Sequence, residues 1–263
     1  MNNPLTHQII SINKNTNLHI FELQKITNEI KNFIDTRIVN ITNGTRKRDI
    51  KIVKNKLKNF LASKKGSTTE MGAIAEFFMH LYLSTQGYKQ ECLFFNLEEN
   101  SIKKGFDGYY SKNGIEWIME SKSGLSTTKG ISHKSKVKEA YNDLDKRLKG
   151  IKKPSETINN LWENAYNHAK HSDVGTKDSI VAKIENFSDE FELGIFKDIK
   201  DFNIIPSSTI FLDGIWIDND ICKITEDIKI LVSTLQYQKL EIICFTKKSL
   251  NLFLDYLNLE ELK

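Results

Sequence analysis

Three charged residues near the middle of the chain have the types and spacing needed for metal-dependent phosphodiester hydrolysis. Asp107 precedes Glu120 by 13 positions, and Lys122 follows two positions after that glutamate. Carboxylate oxygens are the ligands that Mg²⁺ prefers, and an ammonium group beside them can position the attacking water. The same residues could instead form a surface ion pair in which the lysine neutralises the two carboxylates.

A predicted β-hairpin would bring these side chains together. Asn113-Gly114 lies between two apolar runs, which is the strongest short-range signal for a hairpin turn. Antiparallel pairing then places Asp107 beside Glu120 across the two strands. Because side chains alternate along a strand, Glu120 and Lys122 point to the same face. The sequence therefore predicts one patch that contains both carboxylates and the lysine.

The segment that carries these residues resembles the D…ExK signature of PD-(D/E)xK nucleases. Phe106 and Asp107 open the predicted hairpin, and Glu120-Ser121-Lys122 ends its second, apolar strand. The resemblance implies that Asp107, Glu120 and the main-chain carbonyl of Ser121 bind Mg²⁺, for which Mn²⁺ could substitute. It also implies that Lys122 acts on the attacking water. The chain departs from the proline-containing form of the motif, because Phe106 precedes the aspartate.

A fourth acid lies on a helix predicted over 69–85, before the hairpin. The stretch Gly72-Ala73-Ile74-Ala75-Glu76 places Glu76 within an otherwise apolar face, where a carboxylate is seldom buried without a partner. Many PD-(D/E)xK nucleases carry an acid on the helix before the core strands. The resemblance therefore implies that Glu76 is both a catalytic residue and a metal ligand.

The order of these motifs over residues 72–124, about a fifth of the chain, is also similar to the HamA nuclease family of Hachiman anti-phage defence. In that system the nuclease works with a separate helicase. The resemblance implies a DNA substrate and control by a helicase or ATPase partner. The chain has no GxxxxGK[ST] motif, so it is not itself predicted to be an NTP-driven motor.

The remaining elements predict an α/β fold. Further helices are predicted over 18–38, 132–148, 155–170, 226–235 and 249–259, a polar loop over 96–104, and further strands over 92–95, 209–212, 215–217 and 240–245. This order indicates a restriction-endonuclease-like mixed β-sheet core flanked by helices, with an N-terminal helical extension. We expect a single nuclease domain over 1–263, made of a basic extension (1–68), a catalytic core (69–150) and a third stretch (151–263).

Positive charge is concentrated before the predicted catalytic core. The net charge is +4, but residues 46–65 contain nine bases and only one acid. Apolar residues recur there at helical spacing, so the lysines are predicted to face solvent or a phosphate backbone. Lys134, Lys136 and Lys138, with His133, are a second candidate for phosphate contact. A solvated lysine face explains either group equally well.

Composition limits the remaining classes. The chain is 39% hydrophobic and 27% charged, as expected of a globular protein. No apolar run approaches the length needed to span a bilayer, no signal peptide is visible, and the three cysteines have no zinc-site spacing. We therefore expect a cytoplasmic protein with no membrane partner. His168 and His171 are interpreted as surface residues.

Two alternatives to a partner-controlled nuclease are left open by the sequence. One is a stand-alone type II restriction endonuclease, which would be a homodimer. The other is a nuclease-like module that binds nucleic acid or a partner without cutting. The acidic third stretch, with Trp216, Phe245 and Phe253, could provide a docking surface, although aromatic residues of this kind more often belong to the core.

Overall fold

The computed structural model describes residues 4–96, 101–102, 105–151, 160–171 and 173–258, which form a large and a small β-sheet with surrounding helices. The strands are β1 (Thr6–Asn13), β2 (Thr16–Leu23), β3 (Lys89–Gln90), β4 (Phe95–Asn96), β5 (Ser101–Ile102), β6 (Gly108–Lys112), β7 (Ile115–Leu125), β8 (Asn203–Phe211) and β9 (Lys239–Lys247). The helices are α1 (Asn28–Asp35), α2 (Ile38–Asn43), α3 (Ile50–Ser63), α4 (Thr68–Thr85), α5 (His133–Leu148), α6 (Leu161–Ala169), α7 (Asp178–Glu192), α8 (Ile221–Val232) and α9 (Asn251–Asn258), with a short 3-10 helix at Ile199–Asp201.

The large sheet is mixed, with a parallel centre and antiparallel edges. Its strand order is β1-β2-β9-β8-β7-β6-β3. Strands β2, β9, β8 and β7 are mutually parallel, whereas β1 pairs with β2, and β6 with β7 and β3, in antiparallel fashion. Parallel neighbours require crossover connections, which here contain helices α5 to α7 and α8. The predicted α/β class with a mixed sheet is confirmed.

Helices cover both faces of this sheet and create two separate cores. In one core, α1 to α4 and α9 pack against one face of the sheet. In the other core, α5 to α8 pack against the opposite face. Strands that are covered on both sides have no solvent face, so they are apolar on both sides. No helix within the described ranges is long and apolar enough to cross a membrane.

The helix predicted over 18–38 is wrong for its first part. Residues Thr16–Leu23 form strand β2, and the first helix begins only at Asn28. Leu18 and Ile20 belong to one core, while Phe21 and Leu23 belong to the other. Because both faces of this strand are buried, its sequence lacks strand alternation, and its apolar residues imitate helical spacing. The N-terminal extension is therefore helical only after a β-hairpin.

Other predicted elements are present with changed bounds. The predicted hairpin is β6–β7, and its turn residues Asn113 and Gly114 have φ of 52° and 75°, as an Asn-Gly hairpin turn requires. The helices predicted at 69–85 and 132–148 are α4 and α5. The helix predicted at 155–170 is seen from Leu161, and residues 155–159 lie outside the described residues. So do 97–100 and 103–104 of the predicted loop. The described residues of that loop, Asn96 and Ser101–Ile102, belong to strands β4 and β5, so the loop prediction is wrong for them.

Two predicted strands are wrong. Only Phe95 of the run 92–95 is in a strand, and residues 215–217 form an exposed loop after β8. Gly214 turns the chain there with a φ of 79°, and Ile215 and Ile217 are 76% and 62% exposed. An apolar run was therefore not sufficient evidence for a strand at either position.

A lysine is fully buried at the end of the sheet. Lys247, the last residue of β9, has no exposed surface, and its ammonium lies near the rings of Phe78 and Phe211. Its Nζ donates a hydrogen bond to the carbonyl of Ser249. Burial lowers the pKa of Lys247 to about 7, although Asp255 acts in the opposite direction. The folded protein therefore holds this proton less tightly than the unfolded chain does.

We expect Lys247→Met to raise the free energy of unfolding at neutral pH by about 1–3 kcal/mol, because the buried charge is removed. Between pH 7 and the unfolded pKa of 10.5 the unfolded chain binds more protons, so wild-type stability should rise with pH relative to the variant. Urea unfolding across this range measures the difference. Lys248→Met, at the partly exposed neighbouring position, should show no such trend. A constant difference at every pH would contradict the buried-charge explanation.

Candidate active site

The hairpin ends unevenly, and this leaves an open edge beside Asp107. Strand β6 begins at Gly108, whose partner is Met119, whereas β7 continues to Leu125 along β8. The part of β7 after Met119 therefore has no β6 residue opposite it. Asp107 lies at this edge, and its Oδ2 accepts a hydrogen bond of 2.7 Å from the main-chain N–H of Ser121.

The main-chain carbonyl of Ser121 is directed to the same open edge. In a strand, the N–H and C=O of one residue point to the same side, and the N–H of Ser121 points at Asp107. A carboxylate and a main-chain carbonyl thus lie next to each other on the side of β7 that has no neighbouring strand. The hydroxyl of Ser121 is also buried and makes no hydrogen bond. A water that accompanied a hydrated cation could satisfy this hydroxyl.

Glu120 points to the face of the sheet that α5 covers. Its side chain is 1% exposed, and its two oxygens contact the Nζ of Lys122 at 2.9 Å and the Nη1 of Arg147 at 3.3 Å. Burial, followed by the charge of Asp107, raises the pKa of Glu120 to about 8, even though Arg147 and Lys122 act in the opposite direction. The two cations therefore compensate only part of the cost of burying this carboxylate.

Lys122 is held between two carboxylates. Besides Glu120, its Nζ contacts Oδ2 of Asp143 on α5 at 2.7 Å. Burial lowers the pKa of Lys122, but Glu120, Asp143 and Asp107 together raise it above its usual value. The side chain is therefore a protonated donor at a fixed position, rather than a base ready to accept a proton.

Glu76 approaches from the opposite face of the sheet, on α4. Its carboxylate is buried and lies 3.4 Å from Nε2 of His80, whose Nδ1 is 2.5 Å from the hydroxyl of Tyr110. Burial raises the pKa of Tyr110, and the charges of Glu76 and then Asp107 raise it further. The structure thus joins Asp107, Glu120 and Lys122 in one cluster, and it places Glu76 near Asp107 through Tyr110. A metal-binding role for Glu76 stays a prediction.

Gly108 is required for packing. A Cβ at this position would lie 2.4 Å from the ring of Tyr110, so any side chain would displace the ring from His80. The contact between the Tyr110 ring and His80 therefore explains why residue 108 is a glycine.

The donor set at this edge fits a hard divalent cation. Asp107 and Glu120 supply carboxylate oxygens and Ser121 a carbonyl oxygen, which are the ligand types of Mg²⁺ sites. Within the described part of the chain, no three His, Cys, Asp or Glu side chains are grouped as a metal site. This agrees with the geometry, because one of the three oxygen donors is main-chain and Glu120 is bonded to Lys122 and Arg147.

Comparison with known proteins supplies the family. A family model of the HamA proteins matches residues 1–258. The chain belongs to the HamA family. It is therefore a protein of the Hachiman defence, and the resemblance inferred from residues 72–124 is confirmed over nearly the whole chain. No match among curated proteins was found. The wider assignment to the PD-(D/E)xK superfamily stays a prediction.

Two residues of this HamA site were not predicted from the sequence. Asp143 and Arg147 lie four positions apart on α5, so they share a helix face. They flank the buried Leu144, which packs against the same face of the sheet as Glu120. A helix that follows the ExK strand through a crossover must pack on that strand, and this rule could have identified them.

The other basic residues near the start of α5 serve different purposes. His133 is buried and bonds to Ser208 at 2.8 Å, and burial lowers its pKa to about 4, so it does not contact solvent phosphates. Lys134 and Lys136 pair with Asp227 and Glu139. The hypothesis of phosphate contact is therefore wrong for His133 and is weakened for the two lysines.

We expect Glu120→Gln to be more stable than the wild type in EDTA at pH 8.5, by about 1–3 kcal/mol, because a buried charge is removed. The raised pKa means that the folded protein binds this proton more tightly than the unfolded chain does, for which the pKa is 4.5. The advantage of the variant should therefore shrink as the pH falls from 8 towards 4.5.

Urea unfolding of both proteins in EDTA measures this effect, with the exposed Glu139→Gln on the same face of the molecule as a control. A Glu120→Gln variant that is less stable at every pH would show that the ion pairs with Lys122 and Arg147 outweigh the cost of burial.

Proposed function

We propose that this HamA protein is a Mg²⁺-dependent nuclease that hydrolyses DNA phosphodiester bonds in anti-phage defence under the control of a partner helicase. One observation carries the proposal, namely the juxtaposition of Asp107, the Ser121 main chain, Glu120 and Lys122 at the open edge of β7. Family membership supports the setting in anti-phage defence.

Three oxygen donors would hold the ion, from the carboxylates of Asp107 and Glu120 and the carbonyl of Ser121. A divalent cation bound there would lower the pKa of a coordinated water and neutralise charge on the phosphate. The Asp107 carboxylate is already oriented by the Ser121 N–H, so little reorganisation is needed at this ligand. Mn²⁺ should substitute for Mg²⁺, since it accepts the same oxygen ligands.

Lys122 would orient the attacking water and stabilise negative charge as it develops. Its contacts with Glu120 and Asp143 fix the ammonium and keep it protonated. A fixed cation stabilises developing charge without having to rearrange during the reaction. Such preorganisation is the main source of electrostatic catalysis. A lysine in this state donates hydrogen bonds to the water and cannot remove its proton.

A partner is proposed for two reasons. The sequence has no phosphate-binding loop of an NTP-driven motor, and family membership supports action within a multi-component defence. The predicted docking aromatics Phe245 and Phe253 are buried in the core and are not available. The exposed isoleucines Ile215 and Ile217, which flank Trp216, are better candidates for a contact with the partner.

The first experiment is cleavage of plasmid and linear DNA by the purified protein, alone and with its helicase, in Mg²⁺ and in EDTA. Asp107→Ala, Glu120→Gln and Lys122→Ala should each reduce the rate by at least about 100-fold, because each removes a ligand or a charge-stabilising donor. Asp213→Asn alters the exposed Asp-Gly pair at the end of β8 and should cut like the wild type.

The products and the partner requirement separate the alternatives. Discrete fragments cut by a homodimer without a helicase would favour a restriction endonuclease. Absence of cutting under every condition, with DNA still bound, would favour a non-cutting module. Cutting that survives all three substitutions would refute the assigned site.

Helix α3 supplies a second prediction, because it carries the basic stretch. Lys51 and Lys56 are exposed, and no described acid pairs with either of them. Lys54 is an exception to the predicted solvent face, since it is buried against Tyr256 and pairs with Asp35 at 2.8 Å. We therefore exclude Lys54 from the proposed DNA-binding surface.

The double variant Lys51→Gln/Lys56→Gln should weaken DNA binding and reduce the slope of log K against log salt by about 2, or roughly one per lost phosphate contact. Fluorescence anisotropy over a range of salt concentrations measures this slope. The matched double variant Lys223→Gln/Lys229→Gln removes the same charge from exposed positions of α8. Equal slopes for both double variants would mean that α3 is only a solvated face.

A further inference from the structure

Helix α5 adds a second cation to the cluster around Glu120. The Nη1 of Arg147 lies 3.3 Å from Oε2 of Glu120, while Lys122 contacts Oε1 of the same carboxylate. Each oxygen of Glu120 is thus occupied by a different cation. A carboxylate that became a metal ligand could not keep both cations at these distances, because like charges would then lie side by side.

The two cations differ in how far they are exposed to solvent. Lys122 is 19% exposed and is fixed on its other side by Asp143 at 2.7 Å. The side chain of Arg147 is 40% exposed and approaches from the protein surface. Arg147 is therefore the cation with solvent-exposed space into which its guanidinium can turn away from Glu120 when a metal ion approaches.

A guanidinium beside the carboxylate that binds the metal is also well placed for substrate. Its planar array of N–H donors matches the oxygens of a phosphate and remains charged at any physiological pH. Because a DNA phosphate on the metal would lie next to Glu120, a small movement would bring Arg147 from the carboxylate to the phosphate.

We infer that Arg147 is a substrate-binding residue that neutralises Glu120 in the metal-free protein and binds the DNA phosphate once a metal ion takes its place. The inference rests on the proposed nuclease function, because it assigns a role within the same site. Arg147 thus competes with the metal ion for the Glu120 carboxylate and binds the phosphate of the substrate.

A purely structural role must be distinguished from this one. Arg147 also donates a hydrogen bond to the carbonyl of Gly105, two residues before Asp107. If Arg147 only tethers this loop, its loss would misplace Asp107 and weaken metal binding. If Arg147 competes for Glu120, its loss would strengthen metal binding. The sign of the change in metal affinity therefore separates the two roles.

The experiment measures Mn²⁺ binding by calorimetry, without DNA, for the wild type, Arg147→Ala, Arg147→Lys and Lys146→Ala. Lys146 is the exposed neighbour on α5 and serves as the control. Arg147→Ala should bind Mn²⁺ about fivefold more tightly, as expected when one charge near the ligand is removed at a partly solvated site. Arg147→Lys, which keeps the charge, should remain close to the wild type.

Cleavage under single-turnover conditions, with the helicase present, provides the second measurement. Arg147→Ala should cut about 100-fold more slowly even when saturated with Mn²⁺, since a donor to the phosphate is lost. Arg147→Lys should recover part of the rate, and Lys146→Ala should match the wild type. Thermal melting of each variant identifies any that fails to fold.

Weaker Mn²⁺ binding by Arg147→Ala would overturn the inference in favour of the tether, and so would affinity and cleavage equal to those of Lys146→Ala. Failure of the wild type to cut any DNA would refute the proposed function instead. The Mn²⁺ titration would still decide in that case whether Arg147 competes for Glu120, since it does not depend on cleavage.

Discussion

The burial of the Glu120 carboxylate is the constraint on which the rest of the site depends. A charged group in the centre of a sheet between two helical layers is costly unless charges of opposite sign lie beside it. Lys122 and Arg147 meet this requirement, and Asp143 fixes Lys122. The cations compensate the burial only in part, because the pKa of Glu120 is still raised. The site is therefore poised to gain from a further positive charge.

The fold provides this environment through strands of unequal length. Strand β7 pairs with β8 from Ile118 to Leu125, whereas its antiparallel pairing with β6 reaches only as far as Met119 opposite Gly108. Beyond Met119, one side of β7 is therefore closed by β8 and the other is open. On the open side the main-chain groups of β7 have no strand partner, and the N–H of Ser121 donates a hydrogen bond to Asp107 instead. The crossover from β7 to β8 then requires a helix on the Glu120 face, and α5 brings Arg147 with it. One chain path thus creates both the open edge and its counter-charges.

The sequence was sufficient to predict the hairpin and the closeness of Asp107, Glu120 and Lys122, because an Asn-Gly turn and strand alternation are local signals. It was insufficient for β2, where burial on both faces removes alternation and leaves a pattern that resembles a helix. Arg147 could not be recognised from spacing alone, since it is 27 positions from Glu120 and meets it only through the crossover. The burial of Lys54 could not be predicted for the same reason, because its partner Asp35 lies on a different helix.

The charges of the cluster also bear on the metal ion and the phosphate that are proposed as its ligands. Its five joined groups are the carboxylates of Asp107, Glu120 and Asp143 and the cations of Lys122 and Arg147. With all five ionised, the cluster carries one net negative charge. A divalent cation alone would convert this to one positive charge, and a phosphodiester would then restore neutrality. Neither ligand by itself balances the charges of this cluster, and so metal and phosphate should each favour the binding of the other. This reciprocity depends on the burial of Glu120 and would be much weaker in a surface ion pair, in which water screens every charge.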